Sequence, residues 1–399
     1  MNTIAPSSAD FAQAVREHQA GALDAAAKIY KSILAREPNH ADALRLLGVV
    51  HHQKGDSAAG ERLVREAITA APDNAKAYDN LALVLTGRGA REEAVAALSR
   101  AVALNPQSEA SHFNRAVLLA ELDRNTEAAE SYRAALALNP RNANAHHALR
   151  NLLLKLGEAE AALHHTEECL KLMPRDATAL SFKAIALSET GNLPALNRLV
   201  DLDRFIRIAS VGPTIGGMSL AAFNAALARH IETHPTLRQV PSTVNGHDTK
   251  ELLNSGEPLC TALRAFAVEQ IGAYTQSLPA DSAHPLTAGQ SRRHTLESWG
   301  VVMWAQGYQV AHVHKKAWIS GVYYVQLPDV IGESRTDNAG WIEFGHGPAD
   351  LYTRSTPPTR RIKPVEGLMI TFPSYLWHRT IPFESTQRRI CISFDVIPI

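Results

Sequence analysis

Three histidines in the last hundred residues have the types and the order needed to hold one metal ion. His312 and His314 flank a single valine in an extended segment, and His378 follows 64 residues after His314, behind a strand-like run that ends at a proline. Residues i and i+2 of a strand point to the same side, so the first two imidazoles can approach one metal ion together. Arg389 comes eleven residues after His378, at the start of the last strand-like run.

The segments that must position these side chains are short and strand-like. Glycine or proline turns separate them, which predicts a β-sandwich or barrel. All five tryptophans lie in this half of the chain. Four of them are expected in its core or pocket walls, namely Trp304, Trp318, Trp341 and Trp377. Amphipathic helices are predicted over 219–233 and 258–277, with a loop over 241–248 between them. The strand-like segments are 297–304, 321–327, 340–344, 361–373 and 389–397.

The first half of the chain repeats with a period of 34 residues. Prolines stand at 38, 72, 106, 140 and 174, and glycines at 21, 55, 89, 157 and 191, with an aspartate at 123 where the grid predicts a sixth. Small residues recur five positions after this grid, which predicts closely packed pairs of helices joined by turns. The pattern resembles the tetratricopeptide repeat (TPR), which has this period. It predicts an all-α TPR solenoid over 7–195, with five repeats and a partial sixth.

The resemblance to TPR proteins implies a concave groove that binds a peptide or a partner protein. The alternative is a structural spacer or a dimerisation surface. Histidines also occur in this half as adjacent pairs, and adjacent helical residues point about 100° apart, so they are expected to be surface or groove residues that bind no common ion. These pairs are His51 and His52, His146 and His147, and His164 and His165.

Three blocks of the second half, in order, resemble the 2-oxoglutarate- and Fe(II)-dependent oxygenase family. They are 312–325, 367–378 and 389–394, and the resemblance covers about 298–397. It implies a double-stranded β-helix (jelly-roll) with flanking helices over 201–399, with its core at about 295–399. It also implies that His312, His314 and His378 bind Fe(II), and that O2 is consumed in a hydroxylation. Arg389 would pair with the far carboxylate of the cosubstrate 2-oxoglutarate, which suits its planar fork.

Several choices stay open within this resemblance. His314 stands where the family has Asp or Glu, and neither Glu343 nor Asp395 has the position to replace that carboxylate. Arg388 competes with Arg389 for 2-oxoglutarate. Alternation brings one of two adjacent tyrosines inward as a further cosubstrate donor, and Tyr324 is favoured over Tyr323. His346, in a Phe-Gly-His-Gly turn, is a weaker metal candidate.

Composition excludes some classes of protein. Lys and Arg together number 40, as do Asp and Glu, and this neutral balance argues against nucleic acid as a partner. Three isolated cysteines exclude a disulfide scaffold and fit a reducing compartment. The chain has neither a long apolar span nor a signal-like start, so a cytoplasmic location without membrane partners is expected.

The prediction is thus a multidomain dioxygenase whose TPR repeats recruit a protein or peptide. Two alternatives remain. One is a non-catalytic TPR scaffold with a degenerate oxygenase fold. The other is a cupin-like metal-binding enzyme, although no glutamate follows the His-x-His motif as it often does in cupins.

Overall fold

The computed structural model describes residues 6–240, 243–288, 293–332, 337–349, 351 and 353–399. The chain divides into two compact units, residues 1–152 and 153–399. No helix among the described residues is both long enough and apolar enough to cross a membrane.

The first unit is a series of helices, and each of the first eight packs against its neighbour along the chain. The helices are α1 Pro6–Gln19, α2 Leu23–Arg36, α3 Ala41–Gln53, α4 Ser57–Ala70, α5 Ala75–Gly87, α6 Arg91–Leu104, α7 Glu109–Glu121, α8 Asn125–Leu138 and α9 Ala143–Leu156. The division between the two units falls inside α9. The predicted TPR solenoid is confirmed.

The glycines of the 34-residue grid lie in turns between helices, as their spacing predicts. Each glycine of the 34-residue grid has a positive φ, between 70° and 91°, and Asp123 takes the same left-handed conformation with φ 56°. An aspartate tolerates this region better than most side chains, which explains why the grid survives there without glycine. Close packing of the pairs is visible at Gly48, where an added Cβ would lie 2.7 Å from the carbonyl oxygen of Gly60.

One expectation about the histidine pairs is wrong. His146 is buried rather than exposed on the surface or groove, with 4% of its surface accessible. Its Nε2 lies 3.0 Å from the carbonyl oxygen of Pro140, and His112, one repeat earlier, makes the same contact with Pro106 at 3.1 Å. The ring bonds the chain at the turn between repeats, which satisfies a polar side chain inside the helix stack.

The second unit combines helices with an antiparallel β domain. The helices are α10 Ala159–Leu172, α11 Ala177–Glu189, α12 Leu193–Leu199, α13 Leu202–Phe205, α14 Leu220–Glu232, α15 Pro258–Ser277 and α16 Asp329–Gly332. The strands are β1 Arg207–Ser210, β2 Thr214–Ile215, β3 Met218–Ser219, β4 Arg238–Gln239, β5 Thr243–Asp248, β6 His294–Gln309, β7 Ile319–Gln326, β8 Ile342–Phe344, β9 Arg360–Ile362, β10 Leu368–Pro373, β11 His378–Thr380 and β12 Arg389–Pro398.

Two sheets position the candidate site. The larger has seven strands in the order β1-β10-β7-β12-β6-β5-β4, and the smaller has three in the order β11-β8-β9. β12, which begins at Arg389, pairs with both β6 and β7 at the centre of the larger sheet. His378 begins β11 of the smaller sheet. A two-sheet antiparallel domain with flanking helices is the architecture predicted, and that fold class is confirmed.

The predicted loop over 241–248 is wrong where the structure describes it. Residues 243–248 form β5, which pairs with β4 and β6, while 241 and 242 lie outside the described residues. The Asn-Gly pair at 245–246 has the composition of a turn but forms a bulge, with φ 47° at Asn245 and a register shift in the ladder.

The last helices of the repeat region pack into the β domain. Leu180 of α11 and Leu199 of α12 belong to the same buried cluster as Val301, Val322 and Phe372 of the sheet. The 34-residue periodicity therefore continues into helices whose side chains belong to the core of the β domain. The predicted domain limits at 195 and 201 follow the repeats, and they stay a prediction.

Candidate metal and cosubstrate site

The three predicted histidines converge. One ring nitrogen of each of His312, His314 and His378 lies within 4.8 Å of the others, and the Nε2 atoms of His314 and His378 are 3.2 Å apart. Two nitrogen ligands of one ion, each bonded at about 2.1 Å, can have that separation. The ring of Trp299 stacks on His314 with centroids 5.7 Å apart, and the ring of Phe372 meets His378 at 4.7 Å.

Backbone hydrogen bonds fix the three residues in place. His312 and His378 form a reciprocal bridge, with N–H to O distances of 3.0 and 3.2 Å. The N–H of His314 donates to the carbonyl oxygen of Ser374 at 3.0 Å. The segment that follows β10 is therefore held directly against the His-x-His segment, which joins parts of the chain 64 residues apart in sequence.

Each of the three rings has its Nδ1 against an atom that only accepts hydrogen bonds. The Nδ1 of His312 lies 2.8 Å from the carbonyl oxygen of Val310, and that of His378 lies 2.9 Å from the carbonyl oxygen of Leu376. The Nδ1 of His314 faces the Asp395 carboxylate at 2.9 Å. Since carbonyls and carboxylates accept hydrogen bonds, each Nδ1 carries a proton, and in a neutral ring the Nε2 then keeps its lone pair for a metal.

The site also keeps the imidazoles of His312 and His378 neutral. Burial, and then the nearby His314, lowers the pKa of His312 to about 4. Burial and the two neighbouring imidazoles hold the pKa of His378 well below its usual range. Buried imidazoles that turn their ring nitrogens toward one another form a donor set that fits a divalent transition metal.

Arg389 and Tyr324 line the same cavity as the three histidines. Arg389 is 2% exposed, and no described carboxylate forms an ion pair with it. Its guanidinium lies 5.1 Å from the centroid of the Tyr324 ring, and its Nε has no hydrogen-bond partner among the described residues. The Tyr324 hydroxyl is likewise buried without one. The Nη1 of this buried cation reaches only the Cys391 sulfur, at 3.6 Å, and no carboxylate among the described residues balances its charge. Together with the buried hydroxyl it forms an incompletely matched site for an anionic oxygen ligand.

The residues that precede Arg389 and Tyr324 in sequence point away from the cavity. Arg388 is exposed and forms an ion pair with Glu232 on α14. The hydroxyl of Tyr323 donates to Oδ1 of Asn224 at 2.7 Å in a different part of the core. Strand alternation thus separates each adjacent pair, with one member toward the cavity and the other away from it.

The remaining candidates lie outside the histidine group. His346 donates from Nδ1 to the carbonyl oxygen of Gly347 at 2.8 Å and lines a separate cavity with Ile185 and Glu189. The Glu343 carboxylate is fully buried between Arg361 and Arg379, at 2.7 and 2.6 Å. Both arginines hold the pKa of Glu343 below its usual range against the opposing effect of burial.

Sequence reasoning missed the other polar residues of this cavity. Cys391 and Ser393 line it together with Arg389, and the Cys391 sulfur lies 3.6 Å from Nη1 of Arg389. Asp395 belongs to the same row and contacts His314 through Nδ1, on the side of the ring away from the other histidines. Alternation alone could have placed Cys391 and Ser393 on the same side as Arg389, because every second residue of a strand faces one side.

Comparisons with known proteins match the N-terminal and C-terminal parts of the chain to different families. Residues 17–84 and 80–143 match two family models described as tetratricopeptide repeat. Residues 297–395 match a family model described as "Putative 2OG-Fe(II) oxygenase". No curated protein matches the chain.

Three similar solved structures each cover less than half of the chain. The crystal structure of MamA is 20% identical, covers 41% of this chain and 96% of its own, and has a TM-score of 0.38. YrrB, titled a TPR protein with an unusual peptide-binding site, is 22% identical over 43% of this chain and 88% of its own, with a TM-score of 0.37. TTC0263, a thermophilic TPR protein of Thermus thermophilus, is 23% identical over 45% and 98%, with a TM-score of 0.35. On the family models, the chain combines tetratricopeptide repeats over 17–143 with a domain of the 2OG-Fe(II) oxygenase family over 297–395.

Proposed function

We propose that the protein is an Fe(II)- and 2-oxoglutarate-dependent dioxygenase that hydroxylates its substrate. One observation carries the proposal: Arg389 is buried, has no described carboxylate partner, and shares a cavity with three converging imidazoles. A buried charge without a partner costs several kcal/mol, so a fold that keeps one there is expected to match it with a ligand. A dicarboxylate that reaches both the metal and the guanidinium has the required chemistry.

Different residues of the chain would bind the metal ion and the cosubstrate. His312, His314 and His378 would hold Fe(II) through Nε2, while Arg389 and the Tyr324 hydroxyl would bind the far carboxylate of 2-oxoglutarate. Bound iron with this cosubstrate supplies the oxidising chemistry that inserts an oxygen atom from O2 into a C–H bond. Val322, Ile342 and Phe372 line the cavity with apolar surface, which excludes water from the reacting atoms.

The repeats are proposed to recruit the substrate as a protein or peptide. A recess on the surface of α5 and α7 is lined by Asp79, Leu83, Asn114 and Val117, and Leu83 is 47% exposed there. An exposed leucine beside polar groups can anchor an apolar side chain of an extended peptide. Once a protein substrate is identified, Leu83→Glu should raise its KM and leave turnover of 2-oxoglutarate without substrate unchanged. A cytoplasmic location remains a prediction, consistent with three buried free cysteines.

The test is binding of 2-oxoglutarate to the full-length protein with Fe(II) in the absence of O2. Loss of one charge-assisted contact is worth about 1.5–3 kcal/mol, so Arg389→Gln should weaken binding at least about 10-fold. Arg388→Gln is the matched control and should stay within about twofold of wild type, because that side chain points to Glu232. Arg389→Gln should not lower the melting temperature, since it removes an unpaired buried charge.

Turnover then separates the alternatives. O2-dependent formation of succinate that is lost in His312→Ala and Arg389→Gln supports a dioxygenase. Metal binding without 2-oxoglutarate binding, unaffected by Arg389→Gln, would favour a cupin-like enzyme. A protein that binds neither metal nor 2-oxoglutarate would be a non-catalytic scaffold, and the proposal would be abandoned.

A further inference from the structure

The hydrogen-bond partners of the three histidines are not equivalent. His312 and His378 each donate from Nδ1 to a neutral backbone carbonyl. His314 instead meets a carboxylate, with its Nδ1 at 2.8 Å from one oxygen of Asp395 and 2.9 Å from the other. The residue with the anionic partner is also the one that stands in the position of the family's Asp or Glu ligand.

Asp395 is held rigidly for this contact. It is 8% exposed and lies near the middle of β12, in register with Ser320 of β7. The Ser320 hydroxyl donates to its Oδ1 at 2.6 Å. No described lysine or arginine forms an ion pair with it. The negative charge is therefore neutralised by no side-chain cation and is directed at the His314 ring.

A carboxylate behind a metal-binding imidazole fixes its tautomer and orientation, and it makes the ligating nitrogen more basic. We propose that Asp395 is a positioning residue that supplies, through the imidazole of His314, the negative charge that a carboxylate ligand at this position would supply directly. In net charge, the His314–Asp395 pair then resembles one anionic ligand, and His312 and His378 are two neutral ligands. This inference rests on the metal site of the proposed function.

The test compares two buried aspartates of the same sheet. Asp395 and Asp248 are both 8% exposed, but Asp248 accepts from Thr243 at 3.1 Å and bonds no histidine among the described residues. Dissociation constants of Co(II) and Fe(II) are measured without O2 and without 2-oxoglutarate. Loss of such a partner typically weakens a metal site about 10–100-fold, and this is the expectation for Asp395→Asn. Asp248→Asn should stay within about twofold of wild type.

A second readout separates charge from shape. Bound iron in Asp395→Asn should have a higher Fe(III)/Fe(II) reduction potential than in wild type, because the loss of negative charge disfavours the more positive ion. Should Asp395→Asn fail to fold, Asp395→Glu and Asp395→Gln form an equally long pair that differs only in charge. Glu is then expected to bind metal at least about 10-fold more tightly than Gln.

The outcomes are distinct. If wild type binds metal and Asp395→Asn stays within about threefold of it, Asp395 has no positioning role and this inference alone is overturned. A Co(II) complex in which Asp395 itself ligates the metal would also overturn it, in favour of a direct carboxylate ligand. If wild type binds no metal, the proposed function falls together with the inference.

Discussion

Two adjacent tyrosines of β7 provide a test in which one position is the control for the other. Tyr323 and Tyr324 are both fully buried, and burial raises the pKa of both hydroxyls, so both are protonated donors. The Tyr323 hydroxyl donates to Asn224 at 2.7 Å, whereas the Tyr324 hydroxyl has no partner among the described residues. Replacement by phenylalanine removes one oxygen from each side of the same strand.

The two substitutions should have opposite effects. Tyr323→Phe leaves a buried acceptor of Asn224 unpaired, which costs about 1–3 kcal/mol of unfolding free energy. Tyr324→Phe removes a buried hydroxyl without a partner, so it should be neutral or stabilise the fold by about 1 kcal/mol. The same change removes a donor to 2-oxoglutarate and should weaken its binding about 10-fold, equivalent to about 1.4 kcal/mol. The ring under Arg389 is retained.

Tryptophan fluorescence during denaturation measures the first effect. All five tryptophans lie after residue 298, so the signal reports the unit over 153–399 even if the chain does not unfold in one step. Anaerobic binding of 2-oxoglutarate with Fe(II) measures the second effect. If Tyr324→Phe loses as much stability as Tyr323→Phe and binds 2-oxoglutarate normally, Tyr324 is a structural residue and its assignment to the cosubstrate is refuted.

Burial raises the pKa of Asp248 to about 6, so its contribution to the free energy of unfolding should fall as pH rises from about 4 to 6. The free energy of unfolding of Asp248→Asn should therefore exceed that of wild type by about 1–3 kcal/mol at pH 8 but not at pH 4. An equal difference at both pH values would contradict this. Glu189 accepts from the N–H and hydroxyl of Ser355 at 2.9 and 2.6 Å. Glu189→Ala should therefore speed amide hydrogen exchange over 353–357, and unchanged exchange would show that other contacts hold the loop. An added Cβ at Gly321 would lie 2.2 Å from a phenylalanine ring atom, whereas at Gly272 it meets nothing within 4 Å. Gly321→Ala should destabilise the protein by about 1–3 kcal/mol, whereas Gly272→Ala should stabilise it by about 0.5–1 kcal/mol. Denaturation midpoints in the reverse order would disprove this packing argument.

Periodic features could be predicted from the sequence because they depend on local geometry. The 34-residue grid fixes the turns, and even Asp123 keeps the left-handed conformation that the grid requires. Period two along β12 separates Arg389 from Arg388, as it separates Tyr324 from Tyr323 on β7. These predictions need no knowledge of which strands pair.

Features that depend on distant partners could not be predicted in this way. The role of Asp395 depends on β12 lying between β6 and β7 and on the side from which His314 approaches, and neither follows from spacing. β5 was missed because its Asn-Gly pair has the composition of a turn, and only pairing with β6 makes it a strand. The repeat pattern likewise gives no sign of which helices share the core of the β domain.

That shared core limits how the two parts of the chain can be exchanged. Each early repeat contacts mainly its neighbours, so repeats before α10 can be gained or lost with small structural consequences. α11 and α12 cannot be treated this way, because Leu180 and Leu199 complete the apolar core behind the sheet. A transplanted oxygenase domain that begins at residue 201 would lack part of its own interior, whereas one that begins near residue 153 would carry it. The unit that can be inherited or recombined is therefore larger than the family match at 297–395.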